Sequence, residues 1–189
     1  IFQLQSENTK QMNIQTFPVI KTERLTLRKI EESDSDVILF LRSDKSINKF
    51  INRPENRRTK NISDAIKHIR KLNADTKNNK SFAWGITVND NPEIIGTICL
   101  WNFSKDYKTA EVGYDLNPNF QKKGIMSESL KSVVNFGFIE LYIERIEAFT
   151  HIQNEKSKNL LVKNGFKIIE DRKDNDDLFN IVFEIRKSK

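Results

Sequence analysis

The sequence predicts an α+β fold in which one mixed sheet is carried by a single domain. Three observations lead there. The chain has 189 residues, the usual size of one domain. Segments with the strand period of two and segments with helical three-to-four spacing follow one another as strand, helices, strand meander, helix, strand, helix, hairpin. One helix lies between two strands, from Gly124 to Thr150, and such a crossover implies local parallel pairing.

Composition narrows the class. Hydrophobic residues make up 37% and charged residues 31%, which is polar but enough for a core and excludes wholesale disorder. Only 6 Gly and 4 Pro argue against collagen-like or linker sequence. One cysteine excludes an intrachain disulfide scaffold and fits a reducing compartment, so a cytoplasmic location is expected. No apolar run approaches the roughly 20 residues of a membrane helix, and no membrane partner is expected. Lys plus Arg is 32 and Asp plus Glu is 26, a net charge of +6. That excess favours an anionic partner, although a solvated basic surface explains it as well. Nucleic acid, a ribosome and a phosphorylated cofactor stay open.

The elements follow in order. Residues 1–11 are polar and without periodicity, with no secretory signal, and Met12 is a candidate natural start. Residues 1–17 are read as a disordered or processed extension and 18–189 as the domain. Residues 24–30 alternate as a strand. Ser33 and Asp34 are candidate caps for a helix carrying Val37, Ile38, Phe40 and Leu41. Ile47, Phe50 and Ile51 form a short apolar group before Pro54. Ser63 precedes Ala65, Ile66, Ile69 and Leu72, an amphipathic helix with Lys67, Arg70 and Lys71 on its wet face. Residues 82–88 and 94–101 read as a hairpin around the turn cluster 89–92, and 109–116 as the third strand of the meander. Asn117-Pro118 ends it, because proline lacks the ladder donor. A helix runs from near Gly124 to about Leu141, packing through Leu130, Val133, Val134, Phe136, Gly137 and Phe138. Residues 145–150 are a strand. Residues 154–163 are a helix stopped by Asn164-Gly165, and 166–170 and 178–185 are a final hairpin. No repeat or linker divides the chain.

The most informative stretch runs from Gly113 to Glu128: strand, turn, helix start. Backbone N–H groups at a helix N-terminus have no internal partners and carry partial positive charge, which makes an anion site. Gly124 lets the backbone approach a bulky phosphate. Lys122 and Lys123 add formal charge, and Ser127 offers a hydroxyl. The alternative is an ordinary strand-to-helix turn with exposed lysines. Neither the Walker spacing nor the three-glycine dinucleotide fingerprint is present.

Gln121-Lys122-Lys123-Gly124-Ile125-Met126 resembles the Gln/Arg-x-x-Gly-x-Gly/Ala motif of the GNAT superfamily of acyl-CoA N-acyltransferases. Lys21-Thr22-Glu23-Arg24-Leu25-Thr26-Leu27-Arg28 resembles the first strand of its Rim-type branch, which contains ribosomal-protein N-terminal acetyltransferases. Ala110-Glu111-Val112-Gly113-Tyr114 is similar to that branch's fourth strand. Asn154-Glu155-Lys156-Ser157, with Leu160, Leu161 and Asn164-Gly165-Phe166, is similar to its late helix and following strand. Together these span about residues 21–185. The resemblance implies a mostly antiparallel twisted sheet of about seven strands with helices on both faces. It implies acetyl-CoA as co-substrate, held by Gln121, Lys122, Lys123, Gly124, Ile125, Met126 and Ser127. It adds the backbone of Tyr114, Asp115 and Leu116 for the pantetheine arm, lying between two splayed strands. Two positions depart from the pattern. Met126 stands where Gly or Ala is usual, and Leu161 where many members have a Tyr acid.

Acetyl transfer to an amine needs a base, because an alkylammonium has a pKa of about 10. It needs fixed donors for developing oxyanion charge, and a proton or donor for a thiolate whose pKa is about 8.5. Glu111 is the candidate base. Strand parity puts it on one face with Gly113 and Asp115, and the resemblance implies a base at that position. A surface carboxylate or a cross-strand ion pair is the alternative. Glu128 competes, but the helix dipole alone favours an acid there. Asn154 reads as an N-cap, and the resemblance adds a bond to the pantetheine amide. Ser157 is the candidate proton donor or thiol-positioning group. Cys99, mid-strand, reads as a small buried core residue. His68 and His151 lack metal-ligand spacing, and no metal is required.

The leading expectation is therefore an acetyl-CoA-dependent N-acetyltransferase acting on a primary amine, a protein N-terminus or a small molecule, by direct attack in a ternary complex. A non-catalytic acyl-CoA-binding or regulatory protein is the alternative. A ribosome- or RNA-binding module ranks last, since RNP-like aromatic motifs are absent. Monomer and homodimer are both compatible with the sequence.

Overall fold

A computed structural model describes residue 14 and residues 16–51, 53–175 and 177–188. The reading of residues 1–11 lies outside these. Eight strands occur among the described residues. They are β1 (Ile20–Lys21), β2 (Leu25–Arg28), β3 (Phe82–Val88), β4 (Ile94–Trp101), β5 (Thr109–Leu116), β6 (Arg145–His151), β7 (Lys167–Lys173) and β8 (Asn180–Arg186). The helices are α1 (Ser35–Ser43), α2 (Ile62–Lys77), α3 (Ile125–Ile139) and α4 (Glu155–Lys163). The strands form one sheet in the order β1-β2-β3-β4-β5-β6-β8-β7. Every neighbouring pair is antiparallel except β5 with β6, the pair joined by the α3 crossover.

Strand alternation gives the sheet two faces. One carries Leu25, Leu27, Trp84, Ile98, Leu100, Val112, Ile146 and Phe183, packed on Leu130, Val133 and Val134 of α3 and Leu161 of α4. The other meets α1 and α2 through a smaller cluster of Ile30, Ile38, Leu41, Ala65, Ile69 and Ile94. Helices thus cover both faces, as expected.

Several details differ from the sequence reading. The two-residue β1 raises the strand count from seven to eight, so the strand bearing Glu111 is β5. The α2 cap is Asn61, whose side chain accepts from the Asp64 N–H. Asp34 closes a short 3-10 turn over Glu32–Asp34 and takes the Arg28 guanidinium at 2.8 Å, so α1 starts at Ser35. Phe17 and Ile14 pack against the main core, and Trp84 Nε1 donates to the Pro18 carbonyl at 2.6 Å. The packed part of the chain therefore reaches further back than residue 18.

One irregularity positions the site. The β5–β6 pairing covers only Thr109–Glu111 against Arg145–Glu147. Beyond it β5 runs on to Leu116 and β6 to His151 without pairing each other. The two strands part in a V that opens just past Glu111.

Candidate active site

The turn after β5 supplies the first half of the site. Pro118–Phe120 is a short 3-10 helix, and Lys122 and Gly124 then take left-handed backbone, at φ 61° and 77°. Gly124 is the N-cap of α3, a conformation that suits glycine. Glu128 N–H is the first to bond back, to the Gly124 carbonyl. The N–H groups of residues 122–127 have no protein acceptor among the described residues. Such a run of free donors at a helix start is the physical requirement for holding a phosphate. Lys122 and Lys123 are exposed beside it, with the Lys123 ammonium 5.2 Å from the Phe120 ring centre.

Other motif side chains act on the scaffold. Gln121 Oε1 accepts from Lys156 of α4 at 2.9 Å. The Ser127 hydroxyl donates to Asn164 Oδ1 at 2.9 Å, so its free group toward the turn is the backbone N–H and not the hydroxyl foreseen from sequence. Ile125 and Met126 are buried in the main core. Glu128 is held by the loop before β2, accepting from Thr22 Oγ1 at 2.6 Å and Arg24 Nε at 2.7 Å. Burial raises its pKa, but the Thr22 and Arg24 bonds outweigh that and leave it lowered. These bonds tie the start of α3 to that loop.

The second half is the V. Glu111 stands at its apex, half-buried, opposite Glu147 in the parallel register. Asn102 Nδ2 donates to Glu111 Oε1 at 2.5 Å. Burial raises the Glu111 pKa, the Asn102 bond opposes this, and the charges of Glu147 and Asp174 add to the rise. Glu147 itself is buried and bridged to Arg172 at 3.0 Å and Arg145 at 3.2 Å. Glu111 has no such ion pair among the described residues, which removes the cross-strand alternative. Gly113, next on this face, exposes bare strand; a Cβ there would meet Cys99 Sγ at 3.3 Å.

Cys99 corrects the core reading. It belongs to neither apolar cluster and is half-buried on the Glu111 face of the sheet. Burial pushes its thiol up to about 12, so it is protonated and a poor nucleophile.

On the opposite face Tyr114 Oη lies 2.8 Å from Ser157 Oγ. Burial pushes the Tyr114 phenol up to about 12. Asn154 caps α4, its Oδ1 accepting the Ser157 N–H at 3.2 Å, while its Nδ2 has no protein acceptor among the described residues. Leu116 is buried, and the Asp115 side chain turns to the Glu111 face, where its Oδ1 accepts from Thr97 Oγ1 at 2.9 Å. An open cavity of about 450 Å³ lined by Asp36, Phe40 and Glu93, among others, lies over α1 and contains none of these groups.

A family model described as an acetyltransferase (GNAT) domain matches residues 24–167. The chain belongs to the GNAT acetyltransferases. This GNAT protein is 34% identical over 150 residues to the uncharacterized N-acetyltransferase YoaA of Bacillus subtilis (strain 168), covering 79% of this chain and 83% of that one. More distantly, it is 29% identical over 96 residues to the ribosomal protein uS5 alanine N-acetyltransferase of Escherichia coli (strain K12), half of each chain. Among solved structures, a ribosomal alpha-N-protein acetyltransferase, RimL, in complex with coenzyme A superposes with a TM-score of 0.76 at 20% identity, covering 89% of this chain and 98% of that one. The activity is N-acetyl transfer, and GNAT enzymes take the acetyl group from acetyl-CoA.

Within this GNAT fold the sequence missed three groupings. The Tyr114–Ser157 pair joins residues 43 apart in sequence, so no local spacing signals it. The bridge of Glu147 to Arg172 and Arg145 had a faint signal, a carboxylate in mid-strand with the parity of Glu111. The bonds of Arg42 to Thr59 and the Arg57 carbonyl had none. Leu161, where many GNAT members have a Tyr, is fully buried in the core and has no part in the site.

Proposed function

We propose that this GNAT enzyme acetylates a primary amine, a protein N-terminus or a small-molecule amine, by direct attack with Glu111 as base. The observation that carries the reading is the β5–β6 opening, flanked by a raised-pKa carboxylate at its apex and by the unpaired N–H run of residues 122–127. The free N–H groups with Lys122 and Lys123 suit the diphosphate of acetyl-CoA. The backbone of Tyr114 to Leu116, lacking a β6 partner, suits the pantetheine arm, and Asn154 Nδ2 has a donor to give it. Acetyl-CoA supplies the acetyl group as a thioester.

Glu111, through a water, takes the proton of the attacking amine, and its raised pKa makes it a better acceptor than an ordinary carboxylate. Tyr114 and Ser157 are donors toward the thiol end. A phenol at about 12 gives up its proton to a thiolate of pKa about 8.5 only at a cost of roughly 5 kcal/mol. The pair therefore acts by hydrogen bonding and positioning rather than by full proton transfer. The protonated Cys99 favours direct attack over an acyl-enzyme. The uS5 alanine relative supports a peptide N-terminus among the acceptors.

Thiol release from acetyl-CoA, measured against peptide N-termini and small amines, tests the reading. Glu111→Gln is expected to bind CoA normally and lose about 10²–10⁴ in kcat. Gly124→Glu is expected to weaken CoA binding through charge and steric conflict, with Gly124→Ala as the control for backbone strain. Tight CoA binding with no release from any amine would move the protein to the acyl-CoA-binding alternative.

A further inference from the structure

An indole flanks the base on the same face of the sheet. Trp101 ends β4 directly opposite Glu111 in the antiparallel register, so Thr97, Cys99 and Trp101 share the face of Glu111, Gly113 and Asp115. Residues opposed in this way hold their Cβ atoms about 4.5–5.5 Å apart. The indole also leans along the strand: its Nε1 lies 3.7 Å from the point where a Cβ on Gly113 would sit. Trp101 therefore borders β5 from Glu111 to Gly113. It belongs to neither apolar cluster and is 41% exposed. Among the described residues it stacks on no ring, and its N–H has no protein acceptor. A single exposed indole is common on protein surfaces, so its place carries the argument, not its exposure.

Glu111 sits at the apex of the V, and the unpaired part of β5 begins just past it. Gly113 thus lies between the base and the backbone of residues 114–116. An amine that gives its proton to Glu111 and attacks a thioester laid along that backbone has to occupy the space over Gly113, and the indole borders that space. The amine arrives charged, because an alkylammonium has a pKa of about 10. A cation within about 6 Å of an aromatic ring is drawn to the electron-rich ring, and tryptophan holds it best. The carboxylate of Glu111, on the neighbouring strand, supplies the opposite charge.

We infer that Trp101 and Glu111 together form the subsite for the acceptor's ammonium group, so that the amine binds as a cation beside the indole and loses its proton only there. This subsite rests on the acetyltransferase reading of the same cleft. It narrows the acceptors to aliphatic amines that are charged near neutral pH, peptide N-termini included, and sets weakly basic aromatic amines aside. In the transfer itself the proton passes to Glu111 through a water and the nitrogen lone pair forms the C–N bond. The C–S bond breaks, and CoA leaves as the thiolate. Trp101 takes no proton and forms no bond; it holds the cation where Glu111 reaches it.

The test is equilibrium binding of n-butylamine, a cation at neutral pH, and n-butanol, its uncharged isostere, to the CoA-saturated protein by NMR titration. CoA without its acetyl group prevents turnover. The wild type is expected to bind the amine about 10-fold tighter than the alcohol, or more. Trp101→Leu leaves Glu111 in place and is expected to cut that preference about 3–30-fold, the range of one cation–indole contact. Trp101→Phe keeps a ring and is expected to fall between the two. A thermal melt checks folding, and Trp101→Phe carries the test where the leucine variant unfolds. Equal binding of the two ligands to the wild type, no saturable binding of the amine, or a preference that both variants leave intact overturns the subsite. With acetyl-CoA, Trp101→Leu is expected to raise KM for the amine by a similar factor and leave kcat nearly unchanged, unlike Glu111→Gln. Thiol release also separates the two claims: a preference that depends on Trp101, with no release from any amine, leaves the subsite standing and sinks the transferase reading.

Discussion

Glu111 shows how one residue trades stability for chemistry. In the unfolded chain its carboxyl ionises near 4.5, and burial opposite Glu147 raises that value in the folded state. Between the two values the folded protein binds the proton more tightly, so this residue's contribution is full below 4.5 and is lost as pH rises through the folded pKa. Glu111→Gln removes the ionisation and keeps an oxygen for Asn102. It is expected to raise Tm at pH 8, with the gain shrinking toward zero at pH 4. The rate runs the other way. A base acts only when ionised, so wild-type kcat/KM climbs with pH through the folded pKa, and the variant lacks that limb. An equal Tm gain at both pH values would show that the carboxylate charge is not what burial opposes. Cys99 gives a second residue-scale expectation. With its thiol pushed up to about 12, Cys99→Ala should hold kcat within about twofold. Intact-mass spectra should show no acetylated enzyme in either form, and a large loss of kcat would return Cys99 to the chemistry.

Among the elements, α3 is the one whose first turn does two jobs. Its free N–H groups face outward while Glu128, one turn in, fastens the helix to the loop before β2. The Glu128 side chain is 20% exposed and accepts from Thr22 and from both backbone and side chain of Arg24. Glu128→Ala is expected to cost about 1–2 kcal/mol, more than a surface ion pair but less than a buried one. On a domain of this size that is roughly 2–8 °C in Tm, with kcat unchanged. A collapse of kcat with intact stability would make Glu128 catalytic after all. This element also shows what could be read from the chain. The start of α3 at Gly124 was legible because a helix N-terminus is a local property, set by the glycine and the apolar run behind it. The face shared by Glu111, Gly113 and Asp115 was legible because strand parity is local too. The fastening of Glu128 was not, since Thr22 lies 106 residues away in sequence. The Asn61 cap of α2 was not, because several polar side chains there can cap and only the folded turn shows which oxygen meets an N–H.

At the scale of the whole molecule, the crossover through α3 makes a single parallel pair, and that pair fails after three residues on each strand. The failure leaves two unpaired edges inside a sheet, which a stable fold normally avoids because free backbone donors and acceptors are costly when shielded from water. An extended ligand with amides of its own suits such edges, and the basic excess of the chain suits the phosphates at its end. Hydrogen exchange tests this placement directly. Saturating CoA, at about 100 times its Kd, lowers the free energy of the bound state by about 2.7 kcal/mol, which slows exchange from openings that expel the ligand by roughly 100-fold. Protection is expected in residues 112–116, 148–151 and 122–128, with the β7–β8 hairpin unchanged. Protection confined to the α1–α2 side, or spread evenly over the sheet, would put the nucleotide elsewhere and leave the V of β5 and β6 without its occupant.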